Sequence, residues 1–113
     1  MKNERYQKIV RWLNEAVLSG RGATDPALRS AVEEHAAELG GRLEAGKGEL
    51  PGSLMPYLEK VARNAYKVTD QDLESLKQRG YSEEAIFEIT ISAALGAGLG
   101  RLERGYAALK GGE

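Results

Sequence analysis

The sequence predicts an all-α fold, a compact bundle of about five helices with a long, buried C-terminal helix. Apolar residues recur at intervals of three and four along most of the chain, which is the period of one face of a helix. Clusters of glycine, proline and serine interrupt that pattern at residues 19–22, 46–48 and 51–53. No segment shows the alternation of apolar and polar residues that is typical of a half-buried strand.

The first two predicted helices lie in the N-terminal half. Residues 3–18 form the first helix. Its apolar face comprises Tyr6, Ile9, Val10, Leu13, Ala16 and Val17. Asp25 is a preferred N-cap residue and Pro26 is favoured at the first helical position, so the second helix begins there. Its apolar stripe comprises Leu28, Val32, Ala36, Leu39 and Leu43. Residues 40–41 weaken its last turn, and residues 46–48 end it.

Two shorter helices are predicted next. Pro56 is tolerated only in a first helical turn, so the third helix begins near Ser53. Its inward face comprises Leu54, Leu58, Val61, Ala62 and Ala65, with Tyr57 and Tyr66 beside it. Thr69 or Asp70 caps a fourth helix that extends through Arg79. Its inward residues are Leu73 and Leu76.

The junction between the fourth and fifth helices has a strong sequence signal. Gly80 stands where a left-handed C′ residue is expected, and Tyr81 is the apolar C″ residue that folds back onto the helix. Ser82 then caps the fifth helix, and Glu83 and Glu84 in its first turn complement the helix dipole.

The fifth helix is apolar on nearly all sides between Ile91 and Leu99, and residues 89–100 carry no charge. A helix that is apolar on every side is buried on every side, which a chain of 113 residues achieves most readily with a subunit partner. We therefore predict a homo-oligomer whose copies meet through the small residues of this helix. Those residues are Ala93, Ala94, Gly96, Ala97, Gly98 and Gly100.

The composition excludes several classes of function. The chain contains no cysteine, which excludes a disulfide, a thiolate nucleophile and a cysteine-ligated metal. A formal net charge of −1 gives no field that attracts nucleic acid or acidic lipid. Residues 1–10 are charged and amphipathic and do not resemble a signal peptide. The longest uncharged run, residues 89–100, is shorter than the roughly 20 residues that span a bilayer. We expect one cytoplasmic domain over residues 1–113, with N-terminal helices in 1–50 and a C-terminal helical region in 51–113.

The glycines at positions 96, 98 and 100 have the spacing of a phosphate-binding loop. Such a loop follows a strand and opens a helix, whereas these glycines lie inside an apolar helical run. Close packing of two helices is the preferred interpretation, and no cofactor is expected.

Residues 68–109 resemble the C-terminal part of domains of the alkylhydroperoxidase D/carboxymuconolactone decarboxylase family. In that family a short helix leads into a glycine, an aromatic or apolar residue, a serine, acidic residues and an isoleucine, and a long alanine-rich helix follows. The corresponding residues 80–86 read GYSEEAI, followed by Glu88 and the alanines at 93–94. The resemblance implies an alkylhydroperoxidase D-like bundle and a trimer or a dimer-based assembly. Residues 1–50 show no such resemblance.

The redox motif of the family is absent. Its peroxidases carry a glutamate, then eleven residues, a Cys-x-x-Cys pair, three residues and a histidine, with the glutamate and histidine serving the thiolate as a proton relay. When Glu88 is placed on the glutamate, the cysteine positions hold Gly100 and Glu103 and the histidine position holds Ala107. The resemblance therefore implies a member without thiol peroxidase activity.

Glu88 and His35 are the two candidate catalytic residues. Glu88 is a candidate relic of the proton relay; the structural alternative is a hydrogen-bond network or an ion pair with an arginine such as Arg101 or Arg63. Decarboxylase-type members use a histidine as the acid/base near a lactone pocket, and His35 is the single histidine. Its structural alternative is a half-exposed side chain paired to a neighbouring glutamate. Without a second histidine, no metal site is expected.

Three functions remain open at this point. The first is a redox-inactive, self-associating binding or assembly module. The second is a cysteine-independent acid/base enzyme that acts on a small lactone or carbonyl compound. The third is an accessory subunit that docks on a catalytic family member. A closed, polar-lined pocket containing Glu88 favours the enzyme, and a flat apolar patch on the helices favours assembly.

Overall fold

The computed structural model describes residues 4–44, 46 and 48–111, and every regular element in them is helical. The α-helices are α1 (Glu4–Asn14), α2 (Pro26–Gly40), α3 (Met55–Arg63), α4 (Asp70–Gln78) and α5 (Glu83–Gly111). A π-helical turn (Glu15–Ser19) extends α1, and 3-10 turns (Gly52–Leu54 and Ala65–Lys67) precede and follow α3. The predicted all-α fold with about five helices is confirmed. Asn3, with which the first predicted helix begins, lies outside the described residues.

The predicted starts of α2 and α5 are confirmed. The Asp25 carboxylate accepts a hydrogen bond of 3.0 Å from the backbone N–H of Ala27, and Pro26 occupies the first turn. The Ser82 hydroxyl accepts one of 3.1 Å from the N–H of Ala85. Both bonds satisfy backbone donors that have no partner inside the helix.

Helix α4 begins and ends at residues with strong local preferences. Of the two predicted caps, Thr69 is the N-cap, and it forms a capping box with Asp72. The N–H of Asp72 donates to the Thr69 hydroxyl, and the N–H of Thr69 donates to the Asp72 carboxylate. Gly80 follows the helix with φ of +101°, and the N–H of Tyr81 donates to the carbonyl of Leu76 at 3.2 Å. The predicted left-handed glycine and the returning aromatic residue are confirmed.

Helix α2 ends earlier than predicted. Gly41 has φ of +122°, and the N–H of Arg42 donates to the carbonyl of Ala37 at 2.8 Å, which closes the helix in the same way as α4. The predicted end at residues 46–48, of which 47 lies outside the described residues, is therefore wrong. Leu43 is 72% exposed and lies beyond the helix rather than on its apolar stripe.

Helix α3 also ends before its predicted face is complete. Asn64 leaves the helical conformation with φ of −145° and ψ of 57°. Ala65, predicted to point inward, is exposed, and Tyr66 is 81% exposed on the 3-10 turn that follows. The preceding Leu54 and the helical Leu58 are fully buried as predicted.

The core forms where α2, α3 and the first half of α5 meet. Its most completely buried apolar residues are Val32, Ala36, Leu54, Leu58, Ile89 and Ala93. Helices α2 and α5 approach so closely that a side chain on Gly96 would collide with the carbonyl of Glu33, and one on Gly100 with the carbonyl of Ala37. The interpretation of the three glycines as packing residues is confirmed for Gly96 and Gly100, whereas Gly98 faces open space.

Helix α5 is buried only in part. Helix α2 covers one of its sides, α3 a second, and the π-helical turn of residues 15–19 packs beside it on a third. Ala94 and Gly98 on the remaining side are exposed, and no atom lies within 4 Å of the position that a Cβ of Gly98 would take. The single chain therefore leaves one side of this segment uncovered, as we expect for an apolar helix in a chain of this size.

By length and composition, α5 is long and apolar enough to cross a membrane. Half of its most apolar stretch is buried against the other helices, however, as in the core helix of a globular protein. This feature alone is therefore weak support for a membrane-spanning role.

Helix α1 lies beside the C-terminal half of α5 and runs antiparallel to it. The ring of Tyr6 meets that of Tyr106 edge to face, with 5.6 Å between the centroids. At the other end, the carbonyl of Val17 is bound by Arg29, which lies next to Glu88 near the start of α5. None of the residues of α1 is buried.

Candidate functional site

Glu88 holds the loop between the π-helical turn and α2. Its carboxylate accepts hydrogen bonds from the N–H of Ala23 at 2.7 Å, the N–H of Thr24 at 2.8 Å and the Thr24 hydroxyl at 2.6 Å. A side chain on Gly22 would collide with this carboxylate, so glycine there permits the loop to approach. The hydrogen bond from Thr24, followed by that from the Ala23 N–H, holds the pKa of Glu88 below its usual range.

The arginine beside Glu88 is Arg29. Its Nε lies 3.9 Å from the carboxylate, and its side chain is only 4% exposed. The guanidinium also donates to the carbonyls of Val17, Gly20 and Thr24. Arg29 therefore gathers the carbonyls of the same loop whose N–H groups and hydroxyl bind Glu88.

The two arginines suggested by the sequence have other partners. Arg101 donates to the carbonyl of Ala62 at 2.6 Å and thereby joins α5 to the end of α3. Arg63 forms an exposed ion pair of 3.6 Å with Glu59 on its own helix. The predicted pairing of Glu88 with Arg101 or Arg63 is wrong, and the arginine that does lie beside Glu88 was missed. Arg29 is 59 positions from Glu88 in the sequence, and no local sequence pattern indicates that the two side chains meet.

The positions that correspond to the family's redox motif do not gather around Glu88. Gly100 packs against the backbone of Ala37, and Glu103 binds Arg42. At about 1.5 Å per residue, Glu103 lies roughly 22 Å along α5 from Glu88. No proton relay joins the two glutamates.

His35 is half-buried on α2 and lines a small cavity of about 100 Å³. The Glu38 carboxylate accepts a hydrogen bond of 3.0 Å from the N–H of Gly46. Within the described part of the chain, no hydrogen bond or ion pair joins His35 to a glutamate, so the predicted pairing is not formed there. The same residues contain no group of three or more histidine, aspartate or glutamate side chains arranged to hold a metal ion.

Comparisons with known proteins add no relative. No family model matches this chain. Curated proteins and solved structures likewise give no significant match.

A second polar cluster, absent from the sequence-based expectations, joins α2 to α5. Arg42 binds Glu103 through two hydrogen bonds of 2.8 Å and Glu33 through bonds of 2.9 and 3.2 Å. The hydrogen bond to Glu103 is the largest cause of the raised pKa of Arg42. Glu33 is 5% exposed, so its charge is held away from water and depends on this guanidinium. The cluster fixes the C-terminal end of α2 rather than forming a reactive centre.

A cavity of about 400 Å³ lies where α3, α4 and α5 meet, on another flank of α5. Tyr57 and Thr90 line it, and their hydroxyl oxygens are 2.6 Å apart. The sequence placed Tyr57 beside an apolar face but gave no signal for its partner 33 positions later.

The side of α5 opposite α2 is exposed and apolar. Its large exposed side chains are Phe87 (64%), Leu102 (49%) and Leu109 (72%). Ala94 and Gly98 lie between them on the same side and are also exposed. On the neighbouring α1, Ile9 is 51% and Trp12 67% exposed. We call these residues of α1 and α5 together the apolar side.

Proposed function

We propose that this chain is a redox-inactive helical assembly module, of the alkylhydroperoxidase D-like type, that associates with copies of itself through the apolar side. The observation that carries the proposal is the continuity of this surface along the molecule. It is a patch of the kind that monomers rarely leave in water.

The α5 part of the apolar side follows helical spacing without a charge. Residues 87, 91, 94, 98, 102, 105 and 109 recur at intervals of three and four and are all apolar or glycine. They extend over about 33 Å, at about 1.5 Å per residue. A seam of this spacing is what two helices need to pack along each other.

Helix α1 contributes the second part of the surface. In a right-handed helix at about 100° per residue, Ile9 and Trp12 fall on one flank of α1. Because α1 runs antiparallel beside α5, that flank points to the same side of the molecule as Ala94 and Gly98. Helix α1 is amphipathic, yet none of its residues is buried within its own chain. A partner that packs on its apolar flank would explain that pattern.

The area required for a stable contact supports the participation of both helices. A specific interface buries about 800 Å² per partner. A strip about 33 Å long and about 10 Å wide on α5 offers only about 300 Å². The outer flank of α1, with its tryptophan, supplies much of the remainder, so the favoured assembly pairs the two helices of one copy with the same two helices of another. Closed symmetry follows when the same surface serves both copies.

The acid/base alternative lacks support at its two candidate residues. Both oxygens of the Glu88 carboxylate accept hydrogen bonds from the loop, and its pKa is lowered, which leaves it a poor base. His35 lies on a different helix beside a cavity too small for a lactone. The accessory-subunit alternative uses the same apolar side with a different partner, and the measurement below separates the two.

Light scattering of the purified chain at micromolar concentration tests the proposal. We expect a mass of at least two chains of 12.3 kDa each. Gly98→Glu should reduce the mass to that of one chain without unfolding it, because the site is open and the new charge would be buried between copies. Gly52→Glu is the matched control, since it makes the same change at another open glycine away from the apolar side.

A wild-type mass near 12.3 kDa would overturn self-association. An oligomer that both glutamate variants leave intact would place the interface elsewhere on the chain.

A further inference from the structure

The cavity between α3, α4 and α5 has the composition of a small-molecule site. Its volume of about 400 Å³ falls within the roughly 300–1,000 Å³ typical of such sites. Apolar side chains of Val68, Leu73, Ile86 and Phe87 form much of its wall. Such sites combine an apolar wall with a few well-placed polar groups.

The polar groups of this cavity are two hydroxyls with a defined direction of hydrogen bonding. The Thr90 hydroxyl donates to the carbonyl of Ile86 at 2.7 Å, so its single proton is used. With the Thr90 proton directed at Ile86, the Tyr57 hydroxyl, 2.6 Å away, is the donor to Thr90. Both oxygens keep acceptor lone pairs and neither keeps a free proton. A ligand that meets this pair has to donate the hydrogen bond.

The charges at the solvent-facing edge of the cavity are already paired. The Lys77 ammonium lies 3.1 Å from the Glu83 carboxylate, and both side chains are well exposed. An anionic or cationic ligand would have to compete with this ion pair. A neutral ligand needs no such exchange.

We propose that this cavity binds a small, neutral, ring-containing molecule that donates one hydrogen bond to the Tyr57–Thr90 pair, of the class of indoles and phenols. The site uses neither Glu88 nor His35, and of the residues of the apolar side it includes only Phe87. The ring lies against the apolar wall, and its N–H or O–H reaches the two hydroxyl oxygens.

A pair of nearly isosteric probes tests the hydrogen bond. Indole carries the N–H donor, and benzofuran has the same ring shape with an oxygen that cannot donate. In protein-observed NMR titrations of the purified full chain, we expect indole to bind about five- to tenfold more tightly, which corresponds to one hydrogen bond. The perturbed amides should be those around Leu73, Ile86 and Thr90.

Two variants test the location. Tyr57→Phe combined with Thr90→Val removes both partners of the hydrogen bond, so no buried group is left unpaired and the fold should persist. In this double variant we expect indole and benzofuran to bind equally. Leu73→Trp fills the cavity and should abolish both titrations, whereas Leu109→Trp makes the same change on the exposed end of α5 and should leave them unaltered.

Three results would overturn the assignment. They are no indole binding at millimolar concentration, equal affinities of the two probes for the wild-type chain, and binding that survives in a folded Leu73→Trp variant. Thermal melting of each variant confirms that it is folded before it is titrated.

Discussion

At the scale of single residues, Gly80 shows how a backbone angle fixes the identity of a residue. Its φ is +101°, and no atom lies within 4 Å of the position that a Cβ would occupy. Substitution there is penalised by backbone conformation and not by a steric clash. We expect Gly80→Val to lower the free energy of unfolding by at least ~1 kcal/mol, because a β-branched residue is disfavoured at positive φ. Denaturant unfolding measures the change.

Gly52→Val is the control for this substitution. Gly52 also has open space around it, but its φ is not positive. The control should therefore change stability much less than Gly80→Val. Equal losses in the two variants would show that the left-handed conformation is not the cause.

Glu88 leads to a prediction about pH. Its folded-state pKa is lowered, chiefly by the hydrogen bond from Thr24, so its contribution is fully present above the unfolded value near 4.5 and is lost as the pH falls through the folded value. We expect Glu88→Gln to destabilise the chain by about 1 kcal/mol at pH 7, since it weakens charge-assisted bonds to Ala23 and Thr24. The difference from wild type should shrink below about pH 4.

Urea unfolding at pH 7 and at pH 3 measures this dependence. Glu49→Gln removes the same charge from an exposed residue that makes no hydrogen bond or ion pair with the described residues, and it should show no such difference. A Glu88→Gln penalty that is as large at pH 3 as at pH 7 would contradict the assignment of the effect to the ionised carboxylate.

The residues that the sequence predicted well are those whose role depends on near neighbours. Asp25, Thr69, Gly80 and Ser82 act within a few positions of themselves, and the pattern around each one names its role. The partners of Glu88 are 59 to 65 positions away, and their selection depends on how α2 lies on α5. No local pattern contains that information.

At the scale of elements, the contact between α2 and α5 separates two glycines that look equivalent in the sequence. A side chain on Gly96 meets the backbone of Glu33, whereas Gly98 faces open space. We expect Gly96→Ala to destabilise the chain by about 1–3 kcal/mol, because the two helices must move apart. Gly98→Ala should stabilise the single chain by up to ~1 kcal/mol, since alanine favours the helix.

Unfolding of both alanine variants, at concentrations low enough for the chain to be monomeric, measures these changes. A similar effect of the two substitutions would mean that α2 does not pack on the face of α5 that contains Gly96.

These two glycines also show why the sequence could not divide the small residues of α5 into those that pack within the chain and those that remain exposed. The spacing of the small residues fits the face of α5 that packs on α2 and the exposed face equally well.

Helix ends were predicted less accurately than helix centres. The apolar stripe of α2 continues in register to Leu43, so periodicity alone extends the helix past its end. The chain stops it at Gly41, where a positive φ lets Arg42 turn back and bind Glu103. The positive φ of Gly41 and the tertiary contact of Arg42 together end the helix. Of these two causes, only the glycine can be recognised in the sequence.

At the scale of the whole molecule, the sequence predicts the fold class and number of helices but not which side of α5 stays uncovered. A segment that is apolar all round fits several arrangements of its neighbours equally well. Helix α2 covers α5 on the side of Gly96, whereas the side of Gly98 is open in the described part of the chain. The homo-oligomer stays a prediction, and the structure now names the surface on which it depends.

Trp12 offers a direct test of that surface, because it is the only tryptophan in the chain. In the single chain its side chain is 67% exposed, and it lies on the flank of α1 that belongs to the apolar side. Tryptophan emission shifts to shorter wavelength when the indole leaves water. The fluorescence of the unmodified protein therefore reports whether α1 takes part in the contact between copies.

We expect the Trp12 emission to shift to longer wavelength on dilution, with the same midpoint as the fall in mass seen by light scattering. Gly98→Glu should give the long-wavelength emission at every concentration, since it separates the copies, and Gly52→Glu should follow the wild type. Mass and emission that change together place both α1 and α5 in the interface. A fall in mass with no change in emission would instead restrict the interface to α5, and the area argument that requires α1 would then be wrong.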